Sequence, residues 1–178
     1  MRRIVVTTFL TLDGVMEHPM WSMPYWNDDI AKFKGEERET CDGLLLGRIT
    51  YEGFAQAWPN SKDEGADWMN NARKYVVSNT LKTATWNNSH IISGDIVAEL
   101  KALKAVDGNH LLVDGSATLV QTLIAENLVD EYRLLVYPVV VGKGIRLFQD
   151  NAQATLTLVE SQSFGNVLAL RYHPAPKD

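Results

Sequence analysis

The stretch LLLGRITYEGFAQAW (residues 44–58) decides the fold, because it joins a buried strand to an amphipathic helix. Consecutive leucines predict a strand inside a sheet that is covered on both faces. Gly47 would let the backbone turn tightly and approach a ligand. The free N–H groups and the dipole of the next helix favour an anion, and Arg48 adds a guanidinium fork suited to phosphate. The alternative is a surface arginine beside a structural glycine.

The same strand-to-helix pattern recurs through the first two-thirds of the chain. Strands are predicted at residues 3–9, 43–46, 74–78, 90–92 and 110–113, and helices at 32–41, 50–57, 95–106 and 117–127. Such alternation predicts a largely parallel sheet with helices on both faces.

The last third of the chain changes character. A long strand is predicted at 131–141, with Pro138 marking a bulge or a sheet edge. Strands at 155–160 and 167–172, joined around Gly165, predict a hairpin. The predicted fold class is therefore α/β: one three-layer domain over residues 1–178, with a mostly parallel central sheet, flanking helices and a C-terminal antiparallel hairpin.

Composition excludes several classes of function. The chain has 178 residues, a net charge of -5 and 46% hydrophobic residues, which argues against nucleic-acid binding and fits one globular domain. No segment is long and apolar enough to span a membrane. The single cysteine, Cys41, fits a reducing compartment. The histidines are isolated and show no metal-ligand spacing, so no metal is expected.

Two further junctions place polar residues after predicted strands. Gly115 and Ser116 follow an apolar strand and precede a helix, so their N–H groups could hold a pyrophosphate, or Ser116 could simply be an N-cap. Ser78 and Asn79 end another strand, where a polar turn is the usual explanation. Since ligands of open α/β sheets bind at the carboxyl ends of strands, the three junctions together predict a binding edge.

Other candidate residues flank this edge. Asp13 follows the first strand and could orient or protonate a polar substrate, or form an ordinary turn with Gly14. The glycines at 142 and 144 could form a bulge beside a ligand, or only a turn. Trp26 could wall a pocket or belong to the core.

The ordered set of motifs resembles a known family over residues 3–172. The motifs are Leu12-Asp13-Gly14, Leu46-Gly47-Arg48-x-Thr50-Tyr51-Glu52, Val77-Ser78-Asn79-Thr80-Leu81, Gly115-Ser116-Ala117-x-Leu119, Leu128-Val129-Asp130-Glu131, Pro138-Val139-Val140-Val141-Gly142-Lys143-Gly144 and Leu147-Phe148. The chain resembles the dihydrofolate reductase-like superfamily. It is most similar to stand-alone relatives of the C-terminal reductase domain of the bifunctional riboflavin-biosynthesis deaminase/reductase.

This resemblance implies a cytoplasmic, homodimeric reductase that uses NADPH. The substrate would be a small polar heterocycle, such as a pterin or a compound like 5-amino-6-(5-phosphoribosylamino)uracil. The implied cofactor-binding residues are Gly47, Arg48 and Thr50 on the phosphates, Ser78 and Asn79 near the adenosine ribose, Gly115, Ser116, Ala117 and Thr118 around the pyrophosphate, and Gly142 near the nicotinamide. Trp26 and Tyr51 would lie in the substrate pocket. Asp13 would be the catalytic acid, unless a bound water supplies the proton.

Two departures from the family pattern keep other functions open. The zinc-binding deaminase half is absent, and only Asp28 and Asp29 could stand in for the substrate carboxylate of dihydrofolate reductases. One alternative is therefore a non-catalytic nucleotide-binding module or sensor, and another is a dimeric scaffold with an empty cleft. The apolar segment 134–141 would supply a dimer interface, or else form a central buried strand.

Overall fold

The computed structural model describes residues 1–150 and 152–176 and contains one eight-stranded sheet. The strands are β1 (Arg3–Thr11), β2 (Gly43–Gly47), β3 (Lys74–Val77), β4 (Ser89–Ile92), β5 (His110–Val113), β6 (Glu131–Tyr137), β7 (Leu156–Phe164) and β8 (Val167–Pro174). Their order in the sheet is β4-β3-β2-β5-β1-β6-β8-β7. The neighbours from β4 to β6 pair in parallel, whereas β8 is antiparallel to both β6 and β7.

The helices cover both faces of this sheet. They are α1 (Asp28–Glu39), α2 (Arg48–Ala57), α3 (Ala66–Asn71), α4 (Ile96–Ala105) and α5 (Ala117–Ala125), with short 3-10 helices at Pro19–Tyr25 and Trp58–Asn60. Leu100 of α4 and Leu123 of α5 pack on one face, and α1, α2 and α3 bury Ile30, Tyr51 and Met69 against the other. The predicted three-layer α/β fold class is confirmed. Within the described ranges, no helix has the length and apolarity needed to cross a bilayer.

The element boundaries differ from the prediction where side chains or proline intervene. Helix α1 begins at Asp28, earlier than predicted, because the Asn27 side chain accepts a hydrogen bond from the Ile30 N–H at 3.0 Å. Strand β6 ends at Tyr137, because Pro138 has no N–H to continue the ladder. Helix α3 was not predicted, since its six residues are too few to give a clear periodic signal.

The expectation that segment 134–141 forms a dimer interface is corrected for residues 134–137 by the position of β6. This strand lies between β1 and β8, and Leu134, Leu135 and Tyr137 are at most 5% exposed. Their side chains are buried within one protomer. The alternative of a central buried strand is therefore correct as far as Tyr137.

Lys74 of β3 is fully buried and links this strand to α3 through hydrogen bonds. Its Nζ donates to the carbonyl oxygens of Asn70, Ala72 and Asn87 at 3.1, 2.8 and 3.0 Å. It also lies 4.0 Å from the centroid of the Trp86 ring. Burial lowers its pKa to about 8, so the group remains an ammonium at neutral pH.

We expect Lys74→Met to lower the free energy of unfolding by about 3 kcal/mol, because three carbonyl oxygens lose the buried ammonium that donates to them. Urea unfolding followed by circular dichroism measures this loss. The exposed Lys82 offers a matched Lys82→Met control, which should stay within about 0.5 kcal/mol of wild type. Equal stability of the two variants would show that the buried ammonium contributes nothing.

Candidate active site

Strands β2 and β5 are neighbours in the sheet, yet the helices that follow them cover opposite faces. Helix α2 leaves β2 toward one face, and α5 leaves β5 toward the other. Such a divergence opens a crevice at the carboxyl ends of the strands, which is where open α/β sheets bind their ligands. The sheet topology therefore places a candidate site at Gly47 and Gly115.

The two glycines bring the helix N-termini into direct contact. The Gly47 N–H donates to the Gly115 carbonyl oxygen at 3.1 Å. A Cβ atom at Gly47 would collide with the Ser116 side chain and lie 2.9 Å from the Ser116 nitrogen. Gly115 has a φ of 141°, in the region that favours glycine, and a Cβ there would lie 2.9 Å from Thr50 Oγ1. Side chains at these two positions would fill the space between the two helix N-termini, which we call the cradle.

Both helices at the cradle lack a side-chain cap. The N-cap residues, Gly47 and Ser116, give no side-chain hydrogen bond to the first turns of α2 and α5. By contrast, Asn27 caps α1 and Asp95 caps α4 at 3.0 and 3.1 Å. In the part of the chain that the structure describes, the first-turn N–H groups of α2 and α5 thus have no capping side chain, which suits an anion.

Arg48 stands at the start of α2, beside the cradle. Its Nη1 donates to Glu52 Oε2 at 2.8 Å, and its side chain is 41% exposed. A half-exposed pair of this kind contributes little to stability. Most of the guanidinium donors therefore remain accessible to a phosphate. On the α5 side, Ala117 and Thr118 form the first turn, and Thr118 is exposed.

Ser78 and Asn79 lie at the same edge, because Val77 pairs with Gly47. Their side chains, however, already have backbone partners, within the turn for Ser78 and at Gly94 before α4 for Asn79. Ser78 Oγ accepts from the Thr80 and Leu81 N–H groups at 3.1 and 2.9 Å, and Asn79 Oδ1 accepts from the Gly94 N–H at 2.7 Å. The observed contacts are those of a polar turn, and a role near the adenosine ribose stays a prediction.

Asp13 connects the end of β1 to the turn that contains Gly142. Its carboxylate accepts from Thr11 Oγ1 at 2.6 Å and from the Gly142 and Val141 N–H groups at 2.8 and 3.3 Å. These hydrogen bonds, led by that from Thr11, hold the pKa of Asp13 below its ordinary value. An ionised carboxylate with these donors is suited to positioning the Gly142 turn and poorly suited to donating a proton.

Asp13→Ala should accelerate hydrogen exchange of the Gly142 amide by at least about tenfold, because that amide loses its charged acceptor. Exchange followed by NMR measures the change directly. Leu12→Ala, at an exposed neighbouring residue, serves as the control and should leave the rate unchanged. If the Gly142 amide exchanged at the same rate in both variants, Asp13 would have no role in positioning this turn.

The two predicted pocket residues differ in their surroundings. Trp26 is 46% exposed, and its ring centroid lies 6.3 Å from that of Phe9 in the carboxyl half of β1. Tyr51 is 3% exposed, and its hydroxyl accepts from the Trp86 backbone N–H at 3.0 Å. The placement of Tyr51 in a substrate pocket is therefore corrected, because α2 turns this side chain into the core.

Sequence reasoning missed a buried ion-pair network beneath the edge. Lys34 Nζ lies 2.8 Å from Thr7 Oγ1, 2.6 Å from Glu37 Oε2 and 3.3 Å from Asp114 Oδ1. Burial alone would lower the pKa of Lys34, but the Glu37 and Asp114 carboxylates outweigh it and raise the pKa above its ordinary value. Since Asp114 directly precedes Gly115, the network anchors the cradle to α1. The only sequence signal was an i, i+3 Lys/Glu pair, which is usually exposed.

Comparison with known proteins gives the same architecture. The chain is 31% identical over 179 residues to the uncharacterized protein YyaP of Bacillus subtilis, covering 97% of this chain and 95% of that protein. The deaminase/5-amino-6-(5-phosphoribosylamino)uracil reductase of Thermotoga maritima matches with a TM-score of 0.70 and 17% identity, covering 98% of this chain and 57% of that one. The dihydrofolate reductase of Enterococcus faecalis, complexed with NADP(H), matches with a TM-score of 0.63 and 15% identity, covering 98% and 97%.

The structural matches establish a dihydrofolate reductase-like fold, and the family follows from the sequence itself. The model of the RibD C-terminal domain matches residues 2–170, nearly the whole chain. Its members share the reductase-type fold described above. The resemblance found from the ordered motifs is thereby confirmed, and this chain belongs to the RibD C-terminal domain family.

Proposed function

We propose that the protein is an NADPH-dependent reductase that transfers a hydride to a small polar heterocycle. The observation that carries this proposal is the meeting of two uncapped helix N-termini at Gly47 and Gly115, where the sheet topology opens a crevice. A pyrophosphate fits such a cradle, because paired helix N-termini supply N–H donors and positive potential. NADPH, when bound, would supply the hydride.

The residues around the cradle fit a dinucleotide. The proposed cofactor contacts are the phosphate-binding Gly47, Arg48 and Thr50, the adenosine-side Ser78 and Asn79, the pyrophosphate-binding Gly115, Ser116, Ala117 and Thr118, and the nicotinamide-side Gly142. Asp13 would act here by holding the Gly142 turn in place. A water molecule would then supply the proton, since Asp13 is ionised.

The substrate would lie where β1 and β5 end. The half-exposed Trp26 offers a flat surface near Phe9, and Asp114 is a partly exposed acceptor held by Lys34. An aromatic wall with a carboxylate suits a heterocycle that carries N–H donors, such as a pterin or a ribosylaminopyrimidine. The reductase name of the Thermotoga maritima protein supports the same class.

A cytoplasmic location and a homodimeric state belong to the proposal as well. The single cysteine, Cys41, is free, which suits a reducing compartment. With the segment around β6 buried, the exposed Leu158 and Leu168 of the C-terminal hairpin are better candidates for contact with a second copy.

The proposal predicts that Arg48→Ala weakens NADPH binding by about ten- to hundredfold and changes NADH binding little, because Arg48 would pair with the 2′-phosphate. Titration with each nucleotide, followed by tryptophan quenching, measures both affinities. Arg73→Ala is the matched control, since Arg73 is exposed and precedes β3 at the opposite edge of the sheet. If wild type bound neither nucleotide, the reductase proposal would be wrong.

A non-catalytic nucleotide-binding module is the second candidate function. It is favoured by one observation: Asp28 and Asp29 are both exposed, so the first turn of α1 offers the crevice no buried carboxylate. A turnover assay with pterins, ribosylaminopyrimidines and quinones separates the two functions. Oxidation of NADPH by any of them supports the reductase, and tight binding without oxidation supports the module.

A further inference from the structure

A pocket with a volume of about 410 Å³ lies at the amino-terminal edge of the sheet, opposite the cradle. The polar side chains that line it are those of Arg3 in β1, Thr40 just after α1, Asn109, His110 in β5 and Arg133 in β6. Small-molecule sites have volumes of this order. The four residues of β5 separate this amino-edge pocket from the cradle by roughly 13 Å of strand. A ligand here would occupy a site of its own.

The charged side chains in this lining are two arginines. The side chain of Arg3 is 51% exposed, and that of Arg133 is 12% exposed. No carboxylate is among the described residues that line the pocket. Since a concave site lined by charge of one sign concentrates the electric field, the lining selects an anion.

The carboxylate next to the two arginines is Glu131, whose side chain is 4% exposed. Its Oε1 accepts from Arg133 Nε at 2.6 Å, and its Oε2 accepts from Arg3 Nη1 at 3.3 Å. Glu37 Oε1 lies 3.8 Å from Arg133 Nη1, beyond hydrogen-bond distance, and Glu37 already pairs with Lys34. Two guanidinium groups thus share one close carboxylate, and each keeps most of its five N–H donors for a ligand.

His110 reports the positive potential that results. It is 3% exposed, and burial lowers its pKa, which Arg133 and Arg3 lower further. The effects of these two arginines exceed the opposite effects of Glu131 and Asp42. The imidazole is therefore neutral at neutral pH, and because it is buried we assign it no contact with a ligand.

Two exposed neutral side chains complete the polar lining. The backbone of Asn109 is fixed, because its N–H donates to Asp42 Oδ2 at 2.9 Å and its carbonyl oxygen accepts from the Arg3 N–H at 3.0 Å. Its side-chain amide and the Thr40 hydroxyl form no hydrogen bond with any residue that the structure describes. Both groups are accessible and can donate to an anion beside the arginines.

We propose that the amino-edge pocket binds the phosphate group of a small phosphorylated molecule. Guanidinium groups match the geometry of phosphate oxygens, and a dianion gains more from two arginines than a carboxylate would. The Asn109 amide and the Thr40 hydroxyl supply neutral donors to the same group. The volume exceeds that of a phosphate ion, which leaves room for the molecule that carries it.

The test titrates inorganic phosphate, glycerol 3-phosphate and glycerol into the whole ¹⁵N-labelled protein, at constant ionic strength and without nucleotide. We expect saturable shifts of the Arg3, Thr40 and Asn109 amides with both phosphates and none with glycerol. Tighter binding of the ester would show that the attached group also contacts the pocket, and equal binding would assign the affinity to phosphate alone. Shifts confined to Gly47 and Ser116 would place phosphate at the cradle only and overturn the proposal.

Arg3→Met should weaken phosphate binding at the pocket by at least about tenfold, the effect of one charge-assisted hydrogen bond. The fold should persist, because Glu131 keeps Arg133 and His173 as partners. Arg73→Met is the matched control and should bind as wild type does. Arg73 is also exposed and precedes β3, which β2 separates from β5.

Asn109→Asp is a second variant that leaves both arginines in place. It adds a carboxylate to the lining and should weaken phosphate binding by at least about tenfold through repulsion. Wild-type affinity in both Arg3→Met and Asn109→Asp would contradict the proposal, as would acetate binding that is as tight as phosphate binding. Because the amides of the pocket report these results without nucleotide, they are independent of the reductase proposal.

Discussion

Lys34→Met is expected to lower the free energy of unfolding by about 3–5 kcal/mol, the largest stability effect of any substitution considered. The variant removes the ammonium between Glu37 and Asp114 and leaves the buried Glu37 carboxylate with only the neutral Thr7 hydroxyl and the more distant Arg133 guanidinium. Methionine fills nearly the same volume, so the loss reports charge and not a cavity. Urea unfolding at neutral pH, followed by circular dichroism, gives the value.

The same helix provides the matched control. Lys32 lies two residues earlier, and its side chain is 75% exposed, 3.8 Å from Glu36. Lys32→Met should change stability by no more than about 0.5 kcal/mol, because exposed ion pairs contribute little. A similarly small effect for Lys34→Met would mean that the network around Glu37 does not hold the fold together, and the anchoring role of Lys34 would have to be abandoned.

Gly47→Ala is expected to weaken NADPH binding by about a hundredfold while the protein stays folded. The φ of Gly47 is -74°, which alanine adopts readily, so the effect comes from contact alone. The added Cβ would lie 2.9 Å from the Ser116 nitrogen and must displace the start of α5. Losing about two charge-assisted hydrogen bonds to the pyrophosphate corresponds to that factor.

Gly53→Ala supplies the comparison within the same helix. Gly53 lies in the interior of α2, and a Cβ there meets no atom within 4 Å. This substitution should leave nucleotide affinity unchanged and stabilise the helix by about 0.5–1 kcal/mol, because alanine is the better helix former. Titration of both variants with NADPH measures the two affinities. Wild-type affinity in Gly47→Ala would show that the cradle does not bind the cofactor.

Much of the framework was predictable because its signals are local. The leucines of β2, the periodic apolar residues of α5 and the glycines at both junctions are read within a few neighbouring positions. Once the strands are taken as parallel, the convergence of Gly47, Ser78 and Gly115 at one edge follows from geometry. Pro138 was predicted as a bulge or edge within a strand at 131–141, whereas β6 ends just before it, since proline cannot donate to the ladder.

The sequence by itself thus determined the layers, the mostly parallel sheet and the edge that carries the candidate site. Only the tertiary structure decided what individual side chains do there. Lys34 meets Asp114 across 80 residues, and Asp13 meets Gly142 across 129. Tyr51 lies in the core because of the way α2 rests on the sheet. Contacts between distant segments depend on how whole elements pack, and no local pattern of residues records that packing.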